Sequence, residues 1–176
     1  AVADPAASPR GLGVPRPQLI VYDLDGTLID TGSNIALAIN RTREAYHLPA
    51  LPVETVVSYV GDGAGKLVER SIFGQINPGD AEPGEVLASD GSHAPDDVFQ
   101  RFMSIYGADP VTLSKPYDGV LEALRWWQIR GIPQAVLTNK PHDLAVECLK
   151  AHGMANYLTP IIGRGSLVDN IPMGTK

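Results

Sequence analysis

The sequence predicts an α/β fold: a parallel sheet core, short of its C-terminal strands, interrupted once by an all-helical insertion. Three observations predict it. Short apolar runs at residues 19–22 and 134–137 each end in polar residues, as strands buried on both faces of a parallel sheet do. Amphipathic helical patterns over 118–130 and 142–152 flank the second run, and a third apolar run follows at 159–162. Between the first strand and this alternating part, residues 33–115 read mainly as helix.

The elements follow in order. Residues 1–17 are rich in Ala, Pro and Gly and have no apolar period, which predicts a flexible tail. Leu19-Ile20-Val21-Tyr22 is the first strand. After Asp30, Ser33 is placed to cap a helix carrying Ile35, Leu37, Ile39, Ala45 and Tyr46. Pro49 and Pro52 break the chain, and a second helix is expected over 54–60. Gly61-Asp62-Gly63 reads as a turn, and Leu67, Val68 and Ile72 share a face of a third helix over 64–73. Residues 74–95 carry Asp80, Glu82, Glu85 and Asp90 but no Lys or Arg. So long a loop implies either a flap or a short helix around 84–89. Helix resumes at 96–106. Val120, Leu121, Leu124 and Trp127 mark the next helix, which Gly131 stops. The strand at 134–137 ends in Thr138-Asn139, a pair that taken alone reads as a turn. Leu144, Ala145, Cys148 and Leu149 form the apolar face of the helix that ends at Gly153, and Trp126 and Trp127 are expected to pack helix on sheet. The predicted organisation is a tail (1–17), a discontinuous core (18–32 and 116–176) and a helical insert (33–115).

Composition narrows the function. With 44% hydrophobic residues, the 176-residue chain can build a real core. A net charge of −6 argues against nucleic acid as a partner, since a phosphate backbone demands clustered cations. One cysteine, Cys148, allows no intrachain disulfide, which suits a reducing compartment. No apolar run approaches the roughly 18–20 residues of a membrane helix. With no legible targeting signal, a cytoplasmic location is expected. His47, His93, His142 and His152 show no metal-binding spacing.

Ligand sites in open α/β sheets lie beyond the carboxyl ends of the strands. The first strand delivers Asp23-Leu24-Asp25-Gly26-Thr27-Leu28 there, and the second delivers Thr138-Asn139-Lys140-Pro141. Two carboxylates two residues apart would face one side and repel. A divalent cation, or a division into ionised nucleophile and proton carrier, removes the difficulty. Gly26 permits the sharp turn that aims backbone N–H groups at an anion. Taken without its flanks, Asp-x-Asp-Gly after a strand also reads as a plain turn.

The full string Asp23-Leu24-Asp25-Gly26-Thr27-Leu28-Ile29-Asp30 resembles the first motif of the haloacid dehalogenase-like phosphatases at every specified position. The resemblance implies a Rossmann-like core with a helical cap inserted after this motif. It implies that Asp23 is the nucleophile that becomes an aspartyl-phosphate, and that Asp25 is the general acid and then base. It also implies Mg²⁺, held by the Asp23 carboxylate and the Asp25 backbone carbonyl. Thr27 and Asn139 are expected at the substrate, and Thr138 matches the motif-two hydroxyl that binds phosphoryl oxygens. Lys176 is the expected motif-three lysine, the charge that neutralises the phosphorylated site. No acidic pair follows it to serve as a fourth motif. The sequence therefore reads as the N-terminal portion of a longer protein, less stable alone because the strand at 159–162 lacks a neighbour.

The insert narrows the resemblance. Tyr59-Val60-Gly61-Asp62-Gly63-Ala64-Gly65-Lys66-Leu67-Val68-Glu69-Arg70 is similar to the cap segment of phosphoglycolate phosphatases, Lys115-Pro116-Tyr117-Asp118-Gly119-Val120 resembles their return to the core, and Thr138-Asn139-Lys140-Pro141 resembles their usual second motif. Gly61 and Gly63 either permit close backbone approach to a ligand or merely turn the chain between helices. Lys66 either reaches a substrate carboxylate or is a solvated helix lysine. Gly65 departs from the basic residue often found there. The expected substrate is a small anionic phosphomonoester, with 2-phosphoglycolate the best single choice. The alternatives are a related capped pyrophosphatase, a sugar-phosphate phosphatase or mutase, or a non-catalytic truncated chain.

Overall fold

A computed structural model describes residues 16–74 and 94–166. Lys176, the possible helix at 84–89 and nearly all of the 1–17 tail lie outside the described residues. In chain order the elements are β1 (Ile20–Tyr22), β2 (Ile29–Asp30), α1 (Gly32–Ala45), α2 (Val53–Ser58), α3 (Ala64–Val68), α4 (Pro95–Ala108), β3 (Lys115–Pro116), α5 (Val120–Ile129), β4 (Gln134–Pro141), α6 (His142–Ala151) and β5 (Ile161–Arg164). A π-helical turn over Glu69–Phe73 continues α3, and a 3₁₀ turn spans Ala155–Tyr157.

Strands β1, β4 and β5 form a parallel sheet in that spatial order. Val21 lies opposite Ala135, and Val136 lies opposite Ile161. The expected parallel core is therefore present, with β4 in its centre. Strand β4 is longer than its apolar run. It continues through Thr138, Asn139 and Lys140 to Pro141, with an irregularity in the β5 pairing between Leu137 and Pro141. Thr138-Asn139 is thus strand and not turn. The two-residue alternation holds there: Thr138 and Lys140 are buried, while Leu137 and Asn139 are exposed.

Residues between β2 and β3 form the helical insert. Its entry and exit are joined, because β2 and β3 pair antiparallel, Ile29 opposite Pro116 and Asp30 opposite Lys115. The buried Asn34 side chain strengthens the junction. Its amide donates to the Asp109 carbonyl (2.6 Å) and its oxygen accepts from the Leu113 N–H. Helix α1 starts one residue before Ser33, with Thr31 at the N-cap and no side-chain capping bond. The Thr31 hydroxyl is committed elsewhere, to Asp25.

Two apolar clusters result. One fills the insert and takes in Leu144 of α6; in it Val56, Ile72, Val98 and Phe102 are at most 1% exposed. Burial of each such side chain contributes about 1.5–3 kcal/mol. The other joins Leu24, Leu28 and Ile29 to Val136 and to Leu124, Cys148 and Leu149 of the flanking helices. Burial pushes the Cys148 thiol up to about 11, which keeps it protonated and unreactive at neutral pH. Trp126 does not pack on the sheet as expected. It is 39% exposed, with the Arg130 guanidinium 3.5 Å above its ring. No helix among the described residues is long and apolar enough to cross a membrane.

Where β5 meets β4 and α6, only hydrogen fits at Gly163. A Cβ there would stand 2.6 Å from His142 Cα and 2.7 Å from the Lys140 carbonyl oxygen. Both are backbone atoms that cannot turn aside. Gly163→Ala is expected to destabilise by about 2 kcal/mol or more, as overpacking does. Gly65→Ala, facing open space in α3, is expected to be neutral or slightly stabilising. Urea unfolding of the two variants checks this, and equal midpoints would contradict it.

Candidate active site

The carboxyl end of β1 places Asp23 at the surface, where its Oδ1 accepts from the Leu24 N–H (2.6 Å). The next residues curl around one acceptor. The Leu24 carbonyl receives the N–H groups of Thr27 (3.2 Å), Leu28 (2.9 Å) and Ile29 (3.1 Å). Gly26 makes the turn possible with φ +76°, a conformation that costs glycine little. The loop therefore re-aims Asp25, which points away from bulk solvent and into the junction between sheet and insert.

There its Oδ1 accepts two hydrogen bonds, from Thr31 Oγ1 (2.7 Å) and from Lys140 Nζ (2.9 Å). The side chain of Lys140 is 2% exposed, and it also donates to the Tyr106 hydroxyl of α4. Burial works against a charge on Lys140. The attraction of Asp25, and then the contact with Tyr106, overcomes it and raises the lysine above its ordinary value. The ammonium persists at neutral pH. Burial also pushes Tyr106 up to about 12, against the pull of Lys140, so its hydroxyl stays neutral. The repulsion expected between the two Asp residues is thus offset by charge and solvent: a buried cation stands beside Asp25, and Asp23 is left exposed.

Asp23, Asp25, Thr138 and Lys140 line one cavity at the end of the sheet. The insert closes its other side with Gly61, Gly63, Phe102 and Tyr106. Asn139 bridges the two sides by donating from Nδ2 to the Gly61 carbonyl (2.8 Å). Of the residues singled out from sequence, Asp23, Asp25, Thr138, Asn139, Gly61 and Gly63 therefore meet here. Thr27 and Lys66 do not line the cavity. Lys66 lies on the exposed face of α3 and pairs with Glu69 (2.6 Å).

This geometry, a helical insert folded over Asp23-x-Asp25 at a strand end, has a match among known proteins. The profile of the haloacid dehalogenase-like hydrolases matches residues 20–172. The chain belongs to that family. It is 37% identical to the phosphoglycolate phosphatase of Neisseria meningitidis serogroup A over 155 residues, covering 88% of this chain and 62% of that protein. It is 33% identical to the phosphoglycolate phosphatase of Pseudomonas putida, covering 89% of this chain and 54% of that one. The chain thus spans less than two thirds of the length of these relatives. In structure it resembles a predicted phosphoglycolate phosphatase from Haemophilus somnus 129PT, with a TM-score of 0.72 and 29% identity over 85% of this chain and 64% of that one.

Thr31 and Tyr106 escaped the sequence reading, and Lys140 was placed at the strand end without a role. Lys140 had a signal. Once β4 is extended, period-two alternation puts it on the same side as Thr138. Tyr106 and Thr31 had none, since only the fold of the insert brings them to Asp25. The donor chemistry of the site fits a hard divalent cation, because the Asp23 carboxylate and the Asp25 carbonyl are both oxygens. Among the described residues no group of three or more His, Cys, Asp and Glu side chains gathers.

Proposed function

We propose that the protein is a phosphatase of small anionic monoesters, with 2-phosphoglycolate as the preferred substrate. The observation that carries the reading is the division of the two aspartates: Asp23 exposed at the cavity, Asp25 held back by Lys140 and Thr31 beside it. In this reading Asp25 enters the step carrying a proton, delivered by the monoanionic ester, on the oxygen that Lys140 and Thr31 do not hold; an Asp23 oxygen attacks phosphorus, the ester P–O bond breaks, and Asp25 passes that proton to the departing alcohol oxygen. Asp25 then takes a proton from water as the water oxygen attacks the aspartyl-phosphate. The Asp23–phosphorus bond breaks, leaving phosphate and the original carboxylate. Thr138 and nearby backbone N–H groups bind the phosphoryl oxygens. The Asp23 carboxylate and Asp25 carbonyl would hold Mg²⁺, which offsets the negative charge shared by nucleophile and ester. The insert acts as a cap that excludes water and shapes the substrate end. The proposed cap spans residues 33–115. A small phosphate ester is the proposed partner and the cytoplasm the proposed location.

Phosphate release from a panel of esters tests this. The full-length protein with Mg²⁺ is expected to turn over 2-phosphoglycolate at least tenfold more efficiently than sugar phosphates or pyrophosphate. Preference for one of those would replace the substrate, and no turnover of any ester would defeat the hydrolase reading.

A further inference from the structure

The cations around the cavity are nearly all spoken for. Lys140 pairs with Asp25, Lys66 with Glu69, and Arg70 with Asp62 (2.7 Å). Arg164, the last residue of β5, is the exception. It is exposed and pairs with no carboxylate among the described residues.

Its position is defined by three residues that line the cavity. Its backbone lies opposite Pro141 in the sheet. Its guanidinium lies against the insert at Gly63: a Cβ built on that glycine would stand 3.2 Å from Nη1 and 3.7 Å from Cζ. The same Cβ would stand 3.7 Å from the Asn139 carbonyl oxygen. Pro141, Gly63 and Asn139 all belong to the cavity wall. The absence of a side chain at Gly63 is what lets the guanidinium lie so close to the turn. A planar, permanently charged fork therefore lies beside the cavity wall where core and insert meet, although Arg164 is not itself among the lining residues.

We propose that Arg164 recognises a carboxylate on the alcohol portion of the substrate, and so selects carboxylate-bearing phosphomonoesters. This rests on the phosphatase reading, with the phosphoryl group at Asp23 and Thr138 and the remainder of the ester directed toward the rim. A guanidinium suits the task because it meets a carboxylate with two parallel N–H donors, which a lysine cannot match. It takes the role that the sequence suggested for Lys66, whose ammonium is turned toward Glu69.

The test is calorimetric binding to the full-length Asp23→Asn protein, which cannot form the covalent intermediate. The probes are 2-phosphoglycolate and ethyl phosphate, which differ by the carboxylate. The Asp23→Asn protein is expected to bind 2-phosphoglycolate at least tenfold more tightly. Adding Arg164→Gln is expected to remove that preference, and Arg164→Lys to recover part of it. A preference that survives Arg164→Gln, or ethyl phosphate binding with no preference in the first place, overturns the role of Arg164 and leaves the phosphatase reading standing. Binding of neither ester, with no turnover by the unsubstituted protein, overturns both.

Discussion

Asp23→Asn is expected to lower kcat for phosphate-ester hydrolysis by on the order of 10⁴ or more, with little loss of stability. The two halves of this expectation come from different observations. The side chain is exposed, and its one described hydrogen bond, from the Leu24 N–H to Oδ1, can be kept by the oxygen of an amide. The fold therefore has little to lose. The chemistry has much to lose, because a neutral amide oxygen is a poor nucleophile toward phosphorus and no other described carboxylate lines the cavity except Asp25. Asp25 is not a substitute, since Lys140 and Thr31 hold its Oδ1. Steady-state phosphate release checks the rate, and mass spectrometry of acid-quenched protein checks for a phosphoryl adduct. Residual activity above a tenth of the original would remove Asp23 from the nucleophile role.

Local pattern carries information at some elements of this fold and not at others. Strand β1 and helices α1, α4 and α6 were legible because burial and periodicity agree there. The strand ends were less so. Polar residues after an apolar run look like a turn, yet β4 continues through Thr138-Asn139-Lys140, since its polar side chains find partners inside the site. Strand β5 begins two residues later than its apolar run suggests. The pairing starts in the run all the same, where the Thr159 N–H reaches the Gln134 carbonyl (2.7 Å) and the Pro160 carbonyl accepts from Val136 (3.0 Å). Strands β2 and β3 were invisible, because two-residue strands have no period and form only when the insert returns its two ends to one place. The motif aspartates were legible from the specificity of their string. Of the groups around Asp25, Lys140 shares the strand side of Thr138, whereas Thr31 and Tyr106 come from elements that no local pattern connects to it.

Lys140 shows what that hidden arrangement contributes. Lys140→Met is expected to destabilise the protein by about 3 kcal/mol and to lower kcat by one to two orders of magnitude, at the modest end of general acid–base effects. Methionine fills the space, so the cost is not a cavity. It arises because Asp25 (15% exposed) and the buried Tyr106 hydroxyl keep their polarity and lose their common partner. Tyr106→Phe in addition removes one orphaned group, so the double variant is expected to lose less stability than the two single losses together. The pH dependence separates charge from shape. A lysine raised above its unfolded value contributes fully below the unfolded pKa, about 10.4, and loses that contribution only as pH rises through the folded value. The stability gap between wild type and Lys140→Met is therefore expected to stay constant from about pH 6 to 9 and to narrow only in stronger alkali. A gap that changed across neutral pH would mean that Lys140 titrates there, and the account of Lys140 as a permanent buried ammonium would fail. A constant gap, with kcat falling and 2-phosphoglycolate still bound, would identify Lys140 as the residue that positions Asp25 rather than one that merely fills the junction between sheet and insert.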